Sequence, residues 1–251
     1  MDMVKTIVLI PAFNEGLRIA SVVSSVRASL PDVEVLVIND CSRDDTAHVA
    51  RAAGAIVISH PFNMGYGAAI QTGYKYAREK GYDYLVQLDA DGQHDPSCIP
   101  DLLAPVLQGK ADIAIGSRFL GNSYRPPLAR RAGMALFRWI VSLVTGLAVT
   151  DTTSGYQAFN RNVICLFAKD IFPIDYPDAD MLIMLHRAGF RITEVPVRMF
   201  ENSEGKSMHS GLKPIYYMFK MLLSICVTLM RESGTGEQPV QCISRDPQIG
   251  K

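Results

Sequence analysis

Asp83-Tyr84-Leu85-Val86-Gln87-Leu88-Asp89-Ala90-Asp91-Gly92-Gln93-His94 is an apolar run that ends in two carboxylates one residue apart. Tyr84 to Leu88 suits a strand in the middle of a sheet, and alternation along an extended chain would turn Asp89 and Asp91 to one side. Two carboxylates so close repel each other unless something neutralises them. A hard divalent cation with oxygen ligands does so, and Gln93, next on that face, offers a neutral carbonyl oxygen. Mg²⁺ or Mn²⁺ is the expected ion. An EF-hand loop is excluded, because the glycine is fourth rather than sixth and Pro100 stands at the twelfth place. An aspartyl nucleophile of the phosphatase kind would stand near the start of its domain, whereas a full strand and helix pattern precedes Asp89. The plainer reading is a turn with solvated aspartates.

Working outward, Lys5 to Ile10 reads as a continuous apolar strand, followed by the turn Pro11-Ala12-Phe13-Asn14-Glu15 and a helical pattern from Leu17 to Leu30. A second strand, Glu34 to Ile38, stops at Asn39-Asp40-Cys41-Ser42-Arg43-Asp44-Asp45-Thr46. A third, Ala55 to Ser59, leads through Asn63-Met64-Gly65-Tyr66-Gly67 into a helix to about Lys80. Polar groups therefore gather where four buried strands end, which in an open parallel α/β sheet is the crevice that takes ligands. A further strand, Ala111 to Ile115, ends in Gly116-Ser117-Arg118-Phe119. The Arg118 guanidinium suits phosphate oxygens; the alternative is a surface arginine paired with Asp112.

The stretches I-P-A-F-N-E, V-I-N-D-C-S-R-D-D-T, N-M-G-Y-G-A-A-I, L-D-A-D-G-Q-H-D-P, G-S-R-F and D-T-T-S-G-Y-Q-A-F-N-R resemble glycosyltransferase family 2. The likeness runs from about residue 5 to about residue 212 and is greatest to the polyprenyl-phosphate sugar synthases, such as dolichol-phosphate mannose and glucose synthases. It implies a GT-A fold, that is, a Rossmann-like, mostly parallel sheet with helices on both faces. It also implies a UDP- or GDP-sugar donor, inversion at the anomeric carbon, and a metal held by Asp89 and Asp91 with Gln93. By the same resemblance Pro11, Phe13 and Glu15 surround the base and ribose. Asp40 holds the base edge with Ile38 beside it, and the backbone at Ala90 lies against the nucleotide. Asp91 is the direct metal ligand, Asp89 touches the metal or the ribose, and Arg118 meets the phosphates. Asp151 matches a carboxylate near the acceptor, as a base or an orienting group. A lipid phosphate, with a second pKa of about 6, needs no base. For Asp178 and Asp180 a role at the site competes with a place at a helix N-terminus, facing the macrodipole.

The later loop departs from the lipid-phosphate mannose synthases. Where they resemble R-x-x-G-x-S-K, this chain has Asn202-Ser203-Glu204-Gly205-Lys206-Ser207-Met208-His209. Lys206 is the expected cation for the donor, with His209 as a second candidate, and mannose and GDP become less specific expectations.

The 251 residues read as a catalytic domain over 1–212, an apolar or amphipathic helix over 213–230, and a polar tail over 231–251. A net charge of zero excludes nucleic acid held on a basic face. The five cysteines lack a C-x-x-C pair and read as reduced thiols, and the early first strand leaves no room for a signal peptide. A cytoplasmic enzyme on the membrane surface is the expectation. Ile215 to Met230 contains Lys220 and is shorter than the roughly 20 apolar residues a membrane-spanning helix needs. Met134 to Val149, with Arg138 and Trp139, suits a membrane interface, a subunit contact in a homo-oligomer, or packing on the sheet. A dehydrogenase is disfavoured because Gly65-Tyr66-Gly67 follows the third strand and Ile70 stands where a last glycine belongs. A sugar nucleotidyltransferase lacks its glycine-rich arginine loop. A non-catalytic nucleotide-binding protein and a transferase acting on a sugar hydroxyl are the remaining alternatives.

Overall fold

The computed structural model describes residues 4–121, 128–170, 172, 178–200 and 213–230. Strand β1 (Thr6–Ala12) is apolar along its length because both faces are covered. Ile7 and Leu9 join one core layer, Val8 and Ile10 the other. The same period-two split recurs for Leu36/Ile38 against Val35/Val37 in β2 (Glu34–Asn39), and for Ile113/Ile115 against Ala114 in β5 (Ile113–Ser117). A strand sandwiched between two helical layers must be apolar on both faces, which explains the unbroken apolar runs.

With β3 (Ile56–Ser59), β4 (Tyr84–Gln87), β6 (Gln157–Asn160) and β7 (Ile192–Pro196), these form one seven-stranded sheet in the order β3-β2-β1-β4-β6-β5-β7. Every pairing is parallel except those of β6, which runs antiparallel to β4 and β5. The reversal matters for the site. Gln157, the first residue of β6, lies opposite both Gln87 and Ile115, so the segment 151–156 arrives at the same sheet edge where β4 and β5 end.

One face carries α1 (Ile19–Ser29), α2 (Thr46–Ala52) and α4 (Ile99–Leu107). The other carries α3 (Tyr66–Glu79), α5 (Leu128–Thr145), α6 (Arg161–Phe167), α7 (Ala179–Arg187) and α8 (Lys213–Met230). Tyr74, Phe159, Phe167 and Phe172 pack edge-on or tilted, with centroids 5.1–5.7 Å apart. Gly73 lets α3 lie close on β1, since a Cβ there would come within 2.3 Å of Leu9.

Three expectations change. β4 ends at Gln87, so Asp89 and Asp91 share a turn rather than one face of a pleat; Gly92, at φ +77°, helps to bend the chain there. The helix expected to reach Val149 stops at Thr145, because Gly146 at φ +70° takes the left-handed conformation that ends helices. Cys165 is disulfide-bonded while Cys41, Cys98 and Cys226 are free, so the thiols are not uniformly reduced. Lys206, His209 and the tail over 231–251 lie outside the described residues.

Candidate active site

The loops after β1 and β2 are stitched together. Asn14 and Cys41 both take left-handed backbone, at φ 57° and 58°. The Asn14 N–H donates to Ser42 Oγ at 2.9 Å, and the Arg43 N–H to Asn14 Oδ1 at 2.8 Å. Asp44 accepts the N–H groups of Gly16 and Thr46, at 2.9 and 3.0 Å. Pro11 and Ile38 sit opposite each other in register, both buried. Phe13 is 45% exposed, and Glu15 pairs with Arg18 at 3.0 Å.

Asp40 is buried and almost fully engaged. Its Oδ1 accepts the Met64 N–H at 2.8 Å and lies 2.7 Å from His60 Nδ1, and its Oδ2 accepts the Gly65 N–H at 2.8 Å. This carboxylate therefore anchors the loop between β3 and α3, a duty with no local signal.

At the end of β4 the environment differs. Burial raises the Asp89 carboxyl, and the Tyr66 hydroxyl and Arg118 pull it back. Burial raises Asp91 too, with Asp89 adding to the shift. Asp89 Oδ1 accepts from the Tyr66 hydroxyl at 3.1 Å, and its N–H donates to His94 Nδ1 at 3.0 Å. His94 stacks on Tyr156 at 4.8 Å, and burial lowers its imidazole to about 4. Asp91 accepts the Gln93 N–H at 2.9 Å, and the Gln93 carbonyl accepts the Phe200 N–H at 2.7 Å. Ala90 is buried between the two carboxylates. Gly155 lies against this turn: a Cβ there would come within 2.9 Å of Tyr66 Oη and 3.1 Å of Asp89 Oδ2.

Beyond β5, Arg118 grips Asp151 with two prongs, Nε to Oδ2 at 2.7 Å and Nη2 to Oδ1 at 2.9 Å. Its own backbone N–H adds a third bond, at 3.2 Å, and Nη2 also reaches Thr153 Oγ1 at 3.1 Å. Asp151 is fully buried. Asp112 instead belongs to Arg191, at 3.0 Å. Glu194 of β7 accepts the N–H groups of Thr150 and Asp151, both at 2.8 Å, and so fixes the segment that delivers Asp151. Asp180 is fully buried at the start of α7, where it accepts the N–H groups of Asp178 and Met181 and the Ser224 hydroxyl of α8.

Sequence reasoning passed over Tyr66, Gln87, His94, Gly155 and Glu194. Gln87 alone carried a legible signal, as a polar residue inside an apolar strand run.

The donor set suits a hard cation. Among the described residues no group of three or more His, Cys, Asp or Glu side chains gathers to hold an ion. Two carboxylates raised by burial, Asp91 also by its neighbour Asp89, do remain in the turn after β4. That is the protein's usual share of a Mg²⁺-type site, in which substrate phosphates and water complete the shell.

The open α/β sheet, with paired carboxylates after a central strand and helices on both faces, has the GT-A architecture. The family model described as glycosyl transferase family 2 matches residues 7–167. An undecaprenyl-phosphate mannosyltransferase of Micrococcus luteus is 34% identical over 82% of this chain and 88% of that protein. A polyprenol monophosphomannose synthase of Mycolicibacterium smegmatis is 32% identical over 86% of this chain and 85% of that protein. The fold is shared with glucosyl-3-phosphoglycerate synthase of Mycobacterium tuberculosis, solved with Mn²⁺ and UDP-glucose. That structure has a TM-score of 0.66 at 22% identity, over 89% of this chain and 78% of that one. The chain belongs to glycosyltransferase family 2.

Proposed function

We propose that the protein is an inverting, divalent-metal-dependent transferase that moves a hexosyl group from a UDP- or GDP-sugar to polyprenyl phosphate. The observation that carries this reading is the meeting of Asp89, Asp91 and the Arg118–Asp151 pair at one sheet edge, close enough for Arg118 to act on Asp89. The relatives named for polyprenyl-phosphate mannosyl transfer support the acceptor class.

In this reading Pro11, Phe13, Glu15, Ile38 and Asp40 border the nucleotide, Ala90 backs it, and Lys206 meets the donor from the later loop. Asp91 and Asp89, with Gln93, would hold Mg²⁺ or Mn²⁺. When bound, the ion neutralises charge developing on the leaving diphosphate. The acceptor phosphate oxygen attacks the anomeric carbon from the face opposite the diphosphate, a new C–O bond forms, and the old C–O electron pair leaves with the diphosphate. Arg118 offers fixed positive charge to phosphate oxygens. Asp151, with both oxygens held by Arg118, orients that guanidinium and removes no proton. A phosphate acceptor is already largely ionised at neutral pH, so a base is not required.

A lipid acceptor implies work at a membrane surface, on its cytosolic face. No helix among the described residues is long and apolar enough to cross a membrane. Exposed apolar side chains on α5 (Trp139, Leu143) and α8 (Leu222, Leu223, Val227, Leu229, Met230) support surface attachment.

The test is transfer from UDP- and GDP-sugars to polyprenyl phosphate with Mn²⁺ or with EDTA, alongside melting shifts with each nucleotide. Metal-dependent glycosyl-phospholipid from one nucleotide class is expected. Transfer only to a sugar hydroxyl, or full activity in EDTA, would overturn the acceptor or the metal assignment respectively.

A further inference from the structure

A chain of hydrogen bonds runs along the α3 face of the sheet, from the buried Tyr74 to Asp89, where Tyr66 is 39% exposed. The Tyr74 hydroxyl donates to Gln87 Oε1 at 2.5 Å, and Gln87 Nε2 donates to Tyr66 Oη at 3.1 Å and to the Gly155 carbonyl at 3.2 Å. The Tyr66 hydroxyl then donates to Asp89 Oδ1 at 3.1 Å. The polarity of the chain is fixed by chemistry. Gln87 receives from Tyr74 on its carbonyl oxygen, so its amide faces Tyr66. Tyr66 receives that amide N–H on its oxygen, so its single proton points at the carboxylate. Tyr74 is fully buried and Gln87 2% exposed, so water does not compete for these groups.

The backbone around Tyr66 is held as firmly. Tyr66 heads α3, directly after Gly65, whose N–H is bound by Asp40, and Asp40 is itself braced by His60, whose Nε2 meets Thr72 Oγ1 at 3.0 Å. Two separate anchors, one from Gln87 of β4 and one through the loop from β3, therefore converge on Tyr66.

From this geometry we infer that Tyr66 is the positioning residue for Asp89, holding its carboxylate in the rotamer that receives the divalent ion, with Gln87 and Tyr74 orienting the Tyr66 proton. The inference rests on Asp89 and Asp91 as the metal carboxylates. Tyr66 touches neither ion nor substrate in this assignment. Groups that orient a metal ligand carry about 10–100-fold of metal affinity when removed.

The experiment is direct Mn²⁺ binding to the full chain without nucleotide, read by calorimetry or by loss of the free-ion EPR signal, for wild type, Tyr66→Phe, Tyr74→Phe and Asp91→Asn. Melting temperatures in EDTA check the fold. Tyr66→Phe is expected to weaken Mn²⁺ binding about tenfold or more with little change in EDTA melting, and to raise the Mn²⁺ concentration for half-maximal activity while kcat at saturating Mn²⁺ stays near wild type. Tyr74→Phe, two bonds further away, moves binding in the same direction by less. Tyr66→Phe with wild-type Mn²⁺ affinity overturns the positioning role while the metal site stands. Wild-type protein that binds Mn²⁺ no better than Asp91→Asn overturns the metal assignment itself, and the inference with it.

Discussion

Asp40 and Asp44, after β2, and Asp89 and Asp91, after β4, are two carboxylate pairs at the same sheet edge, but in different electrostatic states. The first pair is engaged by backbone: Asp40 by the N–H groups of Met64 and Gly65 with His60, Asp44 by those of Gly16 and Thr46. For Asp44 burial pushes upward, yet its donors outweigh it and the carboxyl lies below its ordinary value. The second pair has fewer donors and sits above its ordinary value, through burial and, at Asp91, mutual repulsion. Carboxylates satisfied by backbone hold loops together. Carboxylates left in excess of their donors have affinity to spare for a cation.

Substitutions can break this contrast. The largest effect is expected from Asp91→Asn, which removes charge where the diphosphate leaves: kcat/KM for glycosyl transfer falls by about 10²–10³-fold, while melting in EDTA stays level or rises because a repulsion has gone. Asp40→Ala should behave in the opposite way. It strands buried N–H groups and His60, at a cost of about 1–3 kcal/mol in urea unfolding, and activity loss beyond the loss of folded protein at assay temperature measures the share of Asp40 in nucleotide binding. Gly155→Ala probes the neighbourhood of Asp89, where the added methyl crowds Tyr66 and the carboxylate. We expect about a 10–100-fold rise in the Mn²⁺ needed for half-maximal activity, with a smaller fall in melting temperature.

The smallest effect sharpens the baseline. Burial pushes the Asp112 carboxyl up, but the Arg191 side chain and backbone N–H, with Asn160, outweigh it, so its pKa lies below the ordinary value. A depressed folded pKa contributes stability above the unfolded value of about 3.9, and loses it as pH falls through the folded value. Because Arg191 is largely exposed, solvent screening keeps the contribution of the pair small. Urea unfolding of wild type and Asp112→Asn should differ at pH 6 and converge as pH drops below the folded pKa; a constant difference would mean that packing, not charge, separates them.

Much of the donor side was readable because its signals are local. Unbroken apolar runs marked β1, β2 and β4, and a polar cluster marked each strand end, since a strand buried on both faces must be apolar and must stop where polar groups begin. The Asp89-Ala90-Asp91 turn was legible for the same reason, although the pleat argument failed when β4 ended at Gln87. The antiparallel insertion of β6 was not foreseen. Four residues of Gln-Ala-Phe-Asn carry no direction of pairing, and only the register against β4 and β5 supplies it.

The partners of the charged groups were illegible throughout. Arg118 has its fork on a carboxylate 33 residues away rather than on Asp112, and Asp112 belongs to Arg191, 79 residues away. Glu194 fixes the Asp151 segment across 43 residues. By itself the sequence determined where the strands lie, which edge bears the polar groups, and that paired carboxylates follow a central strand, because burial period and turn chemistry act over a few residues. Tertiary structure alone decided which carboxylates are satisfied by backbone and which remain for a cation, because a hydrogen-bond donor tens of residues away reaches its acceptor only once the strand order is set.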